Sequence, residues 1–416
     1  MRILFFSYYN PLGKGGFEQQ SIGLMKTLVN QGHEIACLTV ATPENETQIK
    51  SCLEKIEIFK LGCKLVIHTD TPYSKISQLL FWLNTHPSKF FATQKPYLNN
   101  NIQECINKIS LEQNIDLIHV LGLRSTYYLP LKLYRPAVLD LIDSMSLRKY
   151  RALNNLPPLS LRNSINYFYS LIDLWKTRKI EKDVLKIYSS YCPIVAISPV
   201  DESYLATIHR SELITSISAG IDVDTVNKII TPVDHNKLIV FYGFMQEHNI
   251  DALFYLIDDI LPLVRSTHPN LELHVTGFNL PEAIFDLSKT LSWLKVHQSI
   301  DNIQDFVDSA TLTCWPFRLG GGIKTKILES MALGKPVVTT TIGAEALSES
   351  QKEGILIADS AEGLAYHISY LLSSPEECLR LGAINHQVAI TEFTWENRAN
   401  NYIDIYKSAI HRNSRI

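Results

Sequence analysis

The alternation of strand-like and helix-like segments along the chain is the feature that most limits how it can fold. Short apolar runs are separated by amphipathic helical patterns in both halves of the sequence. The predicted strands are 2–7, 34–40, 63–68, 116–122, 137–143, 193–198, 237–243, 271–277, 311–317 and 335–341. The predicted helices include 17–30, 101–113, 177–190, 249–265, 324–333, 361–373 and 394–412. Alternating β and α segments form parallel sheets covered by helices on both faces, so the sequence predicts an α/β protein.

The length of the chain, 416 residues with 46% hydrophobic residues, is sufficient for two or three domains with full cores. Because both halves alternate in the same way, we expect two doubly wound domains that face a central cleft. Ligands of such domains bind at the carboxyl ends of the strands. The sequence therefore directs the search for a site to the loops that follow the strands.

The composition excludes several classes of protein. The formal net charge is −3 and the pI about 6.5, so there is no overall basic character of the kind that binds nucleic acid. The seven cysteines are scattered without a C-x-x-C pair, which argues against a disulfide framework or a zinc site and fits a reducing cytosol. The apolar run at the amino terminus is too short for a signal peptide, and no apolar stretch is long enough to span a membrane. We therefore expect a cytoplasmic protein.

A run of three glycines lies between a predicted strand and a predicted helix, in the segment "WPFRLGGGIKTKILESMALGKPVV". Glycines allow a ligand to approach the backbone closely, and a helix amino terminus attracts anions such as phosphate. Lys324, Lys326 and Arg318 would add positive charge. Lys326 and Glu329 are three residues apart on the polar face of the helix, where the carboxylate could bind a ribose diol. The alternative is a surface turn with a solvated Lys–Glu pair.

A second glycine pair, Gly15-Gly16, follows the first predicted strand and precedes a helix. It could form another phosphate or sugar cradle. Its spacing is not that of a dinucleotide fingerprint, and the second strand lacks the acidic residue that would hold an adenosine ribose. Both observations argue against a nicotinamide-dependent oxidoreductase.

These segments resemble GT-B glycosyltransferases of the group-one, or family-four, type. The resemblance rests on "GGFE" (15–18), "NQGHEIACLT" (30–39), "SAGID" (218–222) and the segment that begins "FYGFMQEHNI" (241–250). The segment 318–347 is similar to sugar transferases from bacterial exopolysaccharide and capsule clusters. The family implies an acceptor-side domain over 1–218, a donor-binding domain over 219–393, and a carboxyl-terminal helix, 394–416, that packs back toward the first domain.

The resemblance also assigns roles to individual residues. Glu329 matches the second glutamate of the family's E-x7-E motif, which binds the nucleotide ribose, and with Lys326 it forms the expected catalytic pair. The other donor-binding residues implied by the resemblance are Gly15, Gly16, Arg318, Gly320, Gly321, Gly322, Lys324, Gly343 and Glu345. The sequence departs from the family in two places: Gly321 occupies the position of the first glutamate, and Gly243-Phe244-Met245-Gln246 lacks the usual basic pair.

The family retains the anomeric configuration of the transferred sugar. The leaving diphosphate deprotonates the acceptor hydroxyl on the same face, so the protein's main task is to stabilise the charge that grows on phosphate. No cofactor and no metal are expected. Asp222 and Asp224 form a D-x-D triplet, which we interpret as a surface feature.

Two residues of the first domain are candidates for contact with the acceptor. His119 is the histidine nearest to the family's catalytic histidine, although its place inside a strand also fits a packed core histidine. Asp143 follows a strand, where it could bind the acceptor or cap the next segment.

Basic and aromatic residues are interleaved over 71–100 and 148–186. The second stretch contains nine Lys or Arg against three acids, which suits an anionic membrane surface and a lipid-linked acceptor. A solvated helix with its aromatics in the core is the alternative. The overall prediction is a bacterial-type retaining glycosyltransferase of cell-surface polysaccharide synthesis, active at the inner face of the membrane. It would transfer a sugar from a nucleotide sugar to a glycan or lipid-linked acceptor. A GT-B sugar-nucleotide epimerase and an inactive accessory GT-B subunit are the alternatives.

Overall fold

The computed structural model divides into two compact units. The first contains Met1–Ser218 and Trp395–Ile416, and the second contains Ala219–Thr394. The residues that the structure describes are 1–11, 16–41, 46–47, 49, 60–67, 96–130, 133–154, 161–221, 238–244, 246–298, 300 and 302–413.

The first unit is built on a parallel sheet, which has seven strands within the described residues. The strands are β1 (Arg2–Ser7), β2 (Glu34–Ala41), β3 (Cys63–Ile67), β4 (Leu117–Leu121), β5 (Ala137–Ile142), β6 (Ile194–Ala196) and β7 (Ile214–Ser216). Their order is β3-β2-β1-β4-β5-β6-β7, and each pairing is parallel. The helices are α1 (Gly16–Asn30), α2 (Pro96–Glu112), α3 (Met145–Asn154), α4 (Leu161–Tyr188) and α5 (Pro199–Ile208), with a 3-10 helix over Leu123–Tyr128.

Both faces of this sheet are covered by apolar cores, because successive side chains of a strand point to opposite faces. Leu4 and Phe6 of β1 lie in one core with residues of α2, α4 and α5. Ile3 and Phe5 lie in the other core with residues of α1 and of the last helix of the chain. The strands therefore read as continuous apolar runs in the sequence.

The second unit is built on a parallel sheet with six strands within the described residues. The strands are β8 (Leu238–Phe244), β9 (Glu272–Phe278), β10 (Leu294–His297), β11 (Leu312–Trp315), β12 (Val337–Thr339) and β13 (Ile355–Ile357), in the order β10-β9-β8-β11-β12-β13. The helices are α6 (Glu247–Tyr255), α7 (Leu261–Arg265), α8 (Glu282–Thr290), α9 (Ile303–Asp308), α10 (Thr325–Ala332), α11 (Thr341–Ala344), α12 (Ala361–Ser373) and α13 (Pro375–Glu392). A π-helical turn, Leu256–Ile260, joins α6 to α7.

The predicted fold class is confirmed, since both sheets are parallel and flanked by helices. The last helix, α14 (Trp395–Asn413), belongs to the first unit. Three short strands, β7, β10 and β13, were not predicted. Among the described residues, no helix is long and apolar enough to cross a membrane.

Candidate active site

The order of the strands in the second unit points to one edge of its sheet. The chain builds outward from β8 through β9 to β10, and then returns to the other side of β8 with β11. In open parallel sheets this reversal leaves a crevice at the carboxyl ends of the two central strands, where ligands bind. The residues that follow β8 and β11 are therefore the ones to search for a site.

The glycine run lies in the loop between β11 and α10. Gly320 and Gly322 have positive φ angles of 101° and 65°, which glycine adopts without the penalty of a side chain. The buried ammonium of Lys324 donates hydrogen bonds to the carbonyl oxygens of Gly321 (2.8 Å) and Gly322 (3.1 Å). Lys324 thus fixes the shape of the loop immediately before α10 begins.

The predicted meeting of Lys326 and Glu329 on one face of α10 is confirmed. Lys326 Nζ lies 2.8 Å from Glu329 Oε2 and 3.1 Å from Oε1. The hydroxyl of Tyr242, at the carboxyl end of β8, donates to Glu329 Oε2 at 2.9 Å. The ammonium of Lys326 also lies 4.5 Å from the centre of the Tyr242 ring, in cation–π geometry. The pair is therefore anchored to the central strand of the sheet.

Tyr242 keeps its proton under ordinary conditions. Burial of the ring, followed by the nearby carboxylate of Glu329, raises the pKa of the Tyr242 phenol well above its usual value. The phenol is consequently a stable hydrogen-bond donor to Glu329. Oε2 of Glu329 accepts hydrogen bonds from both Tyr242 and Lys326, and Oε1 accepts a longer one from Lys326.

Gly243 allows Lys326 to lie close to the end of β8. It has a φ of 135°, and a β-carbon added there would lie 3.1 Å from Lys326 Cε. This spacing is tight, so a side chain at position 243 would compete with the lysine for the same volume. Gly243 therefore has both a conformational and a packing reason to be glycine.

Arg318 is held by an acidic partner on α6. Its Nε and Nη2 donate to the two carboxylate oxygens of Asp251 at 3.1 and 2.7 Å, and its guanidinium lies 4.2 Å from the centre of the Tyr255 ring. The hydrogen bonds to Asp251 raise the pKa of Arg318. Arg318 was expected to add charge toward a phosphate, but this bidentate pair offsets much of its charge.

Gly343 lies in α11, the short helix after β12, and Glu345 directly follows that helix. A carboxylate oxygen of Glu345 is 3.9 Å from Lys324 Nζ. Gly343 is the donor to the capping hydroxyl of Thr340, and a β-carbon at Gly343 would come within 2.0 Å of Thr339 Oγ1. The structure therefore brings together Lys324, Glu345 and the glycine loop, as well as Lys326 and Glu329.

The predicted site residues of the first unit have different surroundings. Gly15 falls outside the described residues, and Gly16 begins α1 on the surface. Asp143 follows β5 and lies 3.3 Å from Arg148 of α3. Asp143 is thus partly exposed and paired, and its role as an acceptor contact stays a prediction.

The position of His119 corrects its assignment to the acceptor. Its side chain is fully buried, and Nδ1 lies 2.6 Å from the hydroxyl of Tyr406 on α14. Its ring stacks on Phe5 at 4.5 Å, and Nε2 lies 3.5 Å from the carboxylate of Asp140. A histidine enclosed in this way cannot touch a substrate in this conformation, so it is the packed core histidine that its strand position also allowed.

The comparison with protein families agrees with the location of this site. Residues 236–374 match the family model "Glycosyl transferases group 1". The matched residues lie within the second unit, which is called the group 1 domain below after this family model. This stretch includes the glycine loop, the Lys326–Glu329 pair and the Tyr242 anchor.

Comparisons with solved structures extend over both units. The structure of Anabaena Alr3699/HepE in complex with UDP is similar with a TM-score of 0.67 and 16% identity, covering 98% of this chain and 100% of that one. Sucrose-phosphate synthase from Thermosynechococcus elongatus is similar with a TM-score of 0.68 and 16% identity, covering 99% of each chain. At these identities the likeness shows the fold, which is GT-B.

A curated protein also matches part of the chain. An uncharacterized 44.6 kDa protein in the cps region of Klebsiella pneumoniae is 26% identical over 142 residues. The match spans 32% of this chain and 37% of that protein.

Sequence reasoning missed three residues that shape the site of the group 1 domain. Tyr242 holds Glu329, Gly243 makes room for Lys326, and Asp251 binds Arg318. A glycine directly after a buried aromatic at a strand end was a signal for Gly243. Tyr242 and Asp251 act across 87 and 67 residues of sequence, which no local pattern reveals.

Two further predictions concern metal and membrane. Asp222 and Asp224 lie outside the described residues, and within the described part no group of three or more His, Cys, Asp or Glu is arranged to hold a metal. Most of the first basic–aromatic stretch, residues 71–95 of 71–100, also lies outside the described residues. Helix α4 exposes Phe168 and Trp175 to solvent by 61% and 62%, so these aromatics are not part of the core.

Proposed function

We propose that this chain is a retaining glycosyltransferase. It transfers a sugar from a nucleoside-diphosphate sugar to a glycan or lipid-linked acceptor in the synthesis of a cell-surface polysaccharide. The observation that carries the proposal is the Lys326–Glu329–Tyr242 arrangement at the strand reversal of a group 1 domain. The cps-region relative supports the polysaccharide role.

In this proposal the two ends of the Lys326–Glu329 pair have different tasks. The ammonium of Lys326 stabilises the negative charge that develops on the leaving diphosphate, because charge placed in advance is worth more in a site that excludes water. The carboxylate of Glu329 accepts hydrogen bonds from the ribose diol. Tyr242 holds Glu329 in place, because its hydroxyl donates a hydrogen bond to Glu329 Oε2.

The chemistry of transfer is expected to need little from other side chains. The bond between the anomeric carbon and the diphosphate oxygen breaks, the acceptor oxygen attacks from the same face, and the departing phosphate takes the acceptor's proton. Positioning the reactants and stabilising the charge on phosphate can therefore supply much of the rate enhancement of sugar transfer. This agrees with Gly321 at the position of the first motif glutamate.

Calorimetric titration identifies the nucleotide of the donor. UDP, GDP, ADP, CMP and dTDP are titrated into the full chain and into the Glu329→Ala variant. UDP is the first choice, since the similar HepE structure is described in complex with UDP. We expect one nucleotide to bind, and the variant to weaken it about tenfold or more, as for the loss of a charged hydrogen-bond acceptor. Glu349→Ala is the matched control, because Glu349 forms an exposed pair with Lys352 at the same spacing.

The same titration decides between the transferase and an accessory subunit. The missing first glutamate favours a subunit that has lost its donor, whereas the intact Lys326–Glu329 pair favours an enzyme. A folded protein that binds none of the five nucleotides would leave the accessory subunit as the better account.

We further propose that α4 brings the enzyme to an anionic membrane surface, where a lipid-linked acceptor is presented. Phe168 and Trp175 are seven residues apart and so share one face of the helix, and Lys179 lies 5.4 Å from the Trp175 ring. Exposed aromatics beside lysines suit the boundary of an anionic bilayer.

Sedimentation with vesicles tests whether the exposed aromatic residues of α4 bind an anionic membrane. The Phe168→Ser, Trp175→Ser double variant should lose binding to vesicles that contain anionic lipid, whereas Tyr366→Ser, which removes a 69% exposed aromatic from α12, should not. Equal binding of both variants and the unchanged chain would contradict a role for α4.

A further inference from the structure

Two cysteines lie side by side on neighbouring strands of the first sheet. Cys37 is an inner residue of β2 and Cys63 is the first residue of β3, and the parallel register of the two strands makes them direct partners. Because side chains alternate between the faces of a sheet in step along paired strands, the two thiols point to the same face. Strand pairing therefore brings together two cysteines that no sequence motif connects.

The spacing of the strands suits a covalent bond between these thiols. Neighbouring β-strands lie about 4.7–4.9 Å apart. The Cα atoms that a disulfide joins are usually about 4.4–6.8 Å apart. Cys37 and Cys63 therefore meet the backbone requirement of a disulfide, and both are free cysteines in this structure.

The two thiols differ in their access to solvent. Cys63 is exposed, and within the described residues β3 lies at one edge of the sheet, whereas Cys37 is only 1% exposed. The hydrogen bond to Cys63, followed by burial, raises the pKa of the Cys37 thiol well above its usual value, so Cys37 stays protonated near neutral pH. An oxidant that arrives from solvent consequently meets Cys63 first. An accessible cysteine beside a second, resolving cysteine is typical of redox-sensitive pairs.

The other cysteines of the described part of the chain have different surroundings. Two of them are buried and two are half-buried, and no strand pairing places any of these four opposite another cysteine. They are Cys105, Cys192, Cys314 and Cys378. Among the described residues, the arrangement of an exposed and a buried thiol on paired strands is thus specific to β2 and β3.

We propose that Cys37 and Cys63 form a reversible disulfide when the protein meets a hydroperoxide. The thiolate of Cys63 attacks the O–O bond of hydrogen peroxide and becomes a sulfenic acid, and the departing hydroxide takes up the proton that this thiol had released. The sulfur of Cys37 then displaces the hydroxyl group from the sulfenic sulfur, and the Cys37 proton completes a second molecule of water. Two thiols are thereby oxidised to one disulfide, and one hydrogen peroxide is reduced to two waters. The inference is independent of the proposed function.

The bridge fastens the edge strand β3 to the interior of the sheet. On its other side β2 pairs with β1, where the partner of Cys37 is Phe5. A bond between β2 and β3 restricts the unfolded chain between them and so favours the folded first unit. Exposed disulfides are generally the more easily reduced ones, and Cys63 lies at the surface, so an added dithiol should open the bridge again.

Peptide mapping of the full chain tests the proposal. Cleavage after lysine and arginine places Cys37 in 27–50, Cys52 in 51–55 and Cys63 in 61–64. The chain is treated with hydrogen peroxide, its remaining thiols are alkylated, and the digest is analysed by mass spectrometry. We expect peptides 27–50 and 61–64 to appear as one disulfide-linked species that dithiothreitol removes.

Three variants test the order of events. In Cys37→Ala the sulfenic acid of Cys63 has no resolving thiol, so its labelling by dimedone should increase while the linked species is lost. In Cys63→Ser the buried thiol of Cys37 should escape oxidation. Cys105→Ser is the matched control, because it removes a half-buried thiol from a helix of the same unit, and it should leave the linked species unchanged.

The proposal is overturned if Cys63 is found linked to Cys52, or if it proceeds to a sulfinic acid while peptide 27–50 remains unlinked. Hydrogen exchange of the treated chain shows whether the bond forms in the folded protein. We expect β1 and β2 to stay protected and β3 to exchange more slowly than before treatment. A linked species that appears only together with loss of protection in β1 and β2 would come from the unfolded chain, and would equally overturn the proposal.

Discussion

Lys326 illustrates how single residues build the candidate site. Its ammonium is fixed by Glu329 from its own helix and by the ring of Tyr242 from β8, while its aliphatic part passes over Gly243. A lysine side chain loses considerable rotamer freedom when it is ordered in this way. The structure therefore places the cation before a substrate arrives, which is the arrangement that favours stabilisation of a developing charge.

Gly243→Ala should damage the site more than it damages the fold. The φ of 135° costs a residue with a β-carbon about 1–3 kcal/mol, and the new methyl group would displace Lys326 Cε, 3.1 Å away. We expect sugar transfer to fall about tenfold or more, because small displacements of a catalytic group are costly. Gly62→Ala is the control, with a φ of 88° and no neighbouring atom within 4 Å. Equal loss of activity in both variants would contradict this account.

Tyr242→Phe should weaken nucleotide binding several-fold while leaving Lys326 in contact with a ring. The change removes only the hydroxyl that donates to Glu329 at 2.9 Å, a bond worth about 1.5–3 kcal/mol when the acceptor is charged. Calorimetry measures the affinity, and urea unfolding separates it from stability. Tyr188→Phe removes a weaker bond to Leu129 O, at 3.4 Å in the first unit, and should leave nucleotide binding unchanged. Unaltered affinity in Tyr242→Phe would exclude a role for this hydroxyl.

The pairing of Lys326 with Glu329 was predictable from sequence because three-residue spacing on a helix places two side chains side by side. The contact of Glu329 with Tyr242 was not, since it depends on how β8 and α10 are placed in the sheet. The same limit explains His119. Its strand position was clear, but its partner Tyr406 lies 287 residues further along the chain, so the burial that removes it from the acceptor site could not be seen.

At the scale of elements, α14 is joined to the first sheet by buried polar contacts. The hydroxyl of Tyr402 donates to Asp140 of β5, and Arg398 donates to the carbonyl oxygen of Ile217 at 3.1 Å. Together with Tyr406 and His119, these residues place hydrogen-bonded polar groups inside an otherwise apolar core. Buried networks of this kind are costly to break and so fix where the helix docks.

Asp140 should make the docking of α14 dependent on pH. Burial alone would raise its pKa, but the hydrogen bond and charge of His119 and the charge of Arg398 outweigh burial and lower it. The unfolded chain then binds the proton more readily, so the stabilisation is present above the ordinary pKa of about 4 and is lost as the pH falls through the lower folded value. Asp140→Asn should therefore be less stable than the unchanged chain at neutral pH, with a difference in unfolding free energy that shrinks in acid. Urea unfolding from about pH 7 to about pH 3 measures this, and a constant difference would contradict it.

Among the described residues, each strand of five or more residues was predicted, whereas the shorter strands were predicted only in part: β6, β11 and β12 were predicted, and β7, β10 and β13 were not. The strands of five to eight residues in the first unit gave long apolar runs in the sequence, whereas β7 and β13 have three residues each and β10 has four. A strand of that length contains too few positions to show a period. Its existence is decided by the neighbouring strand to which it bonds.

At the scale of the whole molecule, the first unit is assembled from two separate pieces of the chain, with the group 1 domain inserted between them. The second piece is α14, whose Tyr402 and Tyr406 are fully buried against residues of α1 and the sheet. Trp395 also packs against Gly23, where a β-carbon would come within 2.2 Å of its ring. The first 218 residues therefore do not contain the complete core of their own unit.

Removal of residues 395–416 should consequently unfold the first unit and spare the second. Losing two buried tyrosines and the helix that carries them costs more than about 5 kcal/mol, which is comparable with the whole stability of a domain. The group 1 domain is one continuous segment, Ala219–Thr394, with its own sheet, so it should still melt cooperatively and bind nucleotide. Hydrogen exchange with mass spectrometry distinguishes the two regions in one experiment. Rapid exchange in β1 and β4 with protection retained in β8 and β11 is the expected pattern, and protected β1 in the truncated chain would show that α14 is dispensable for the first unit.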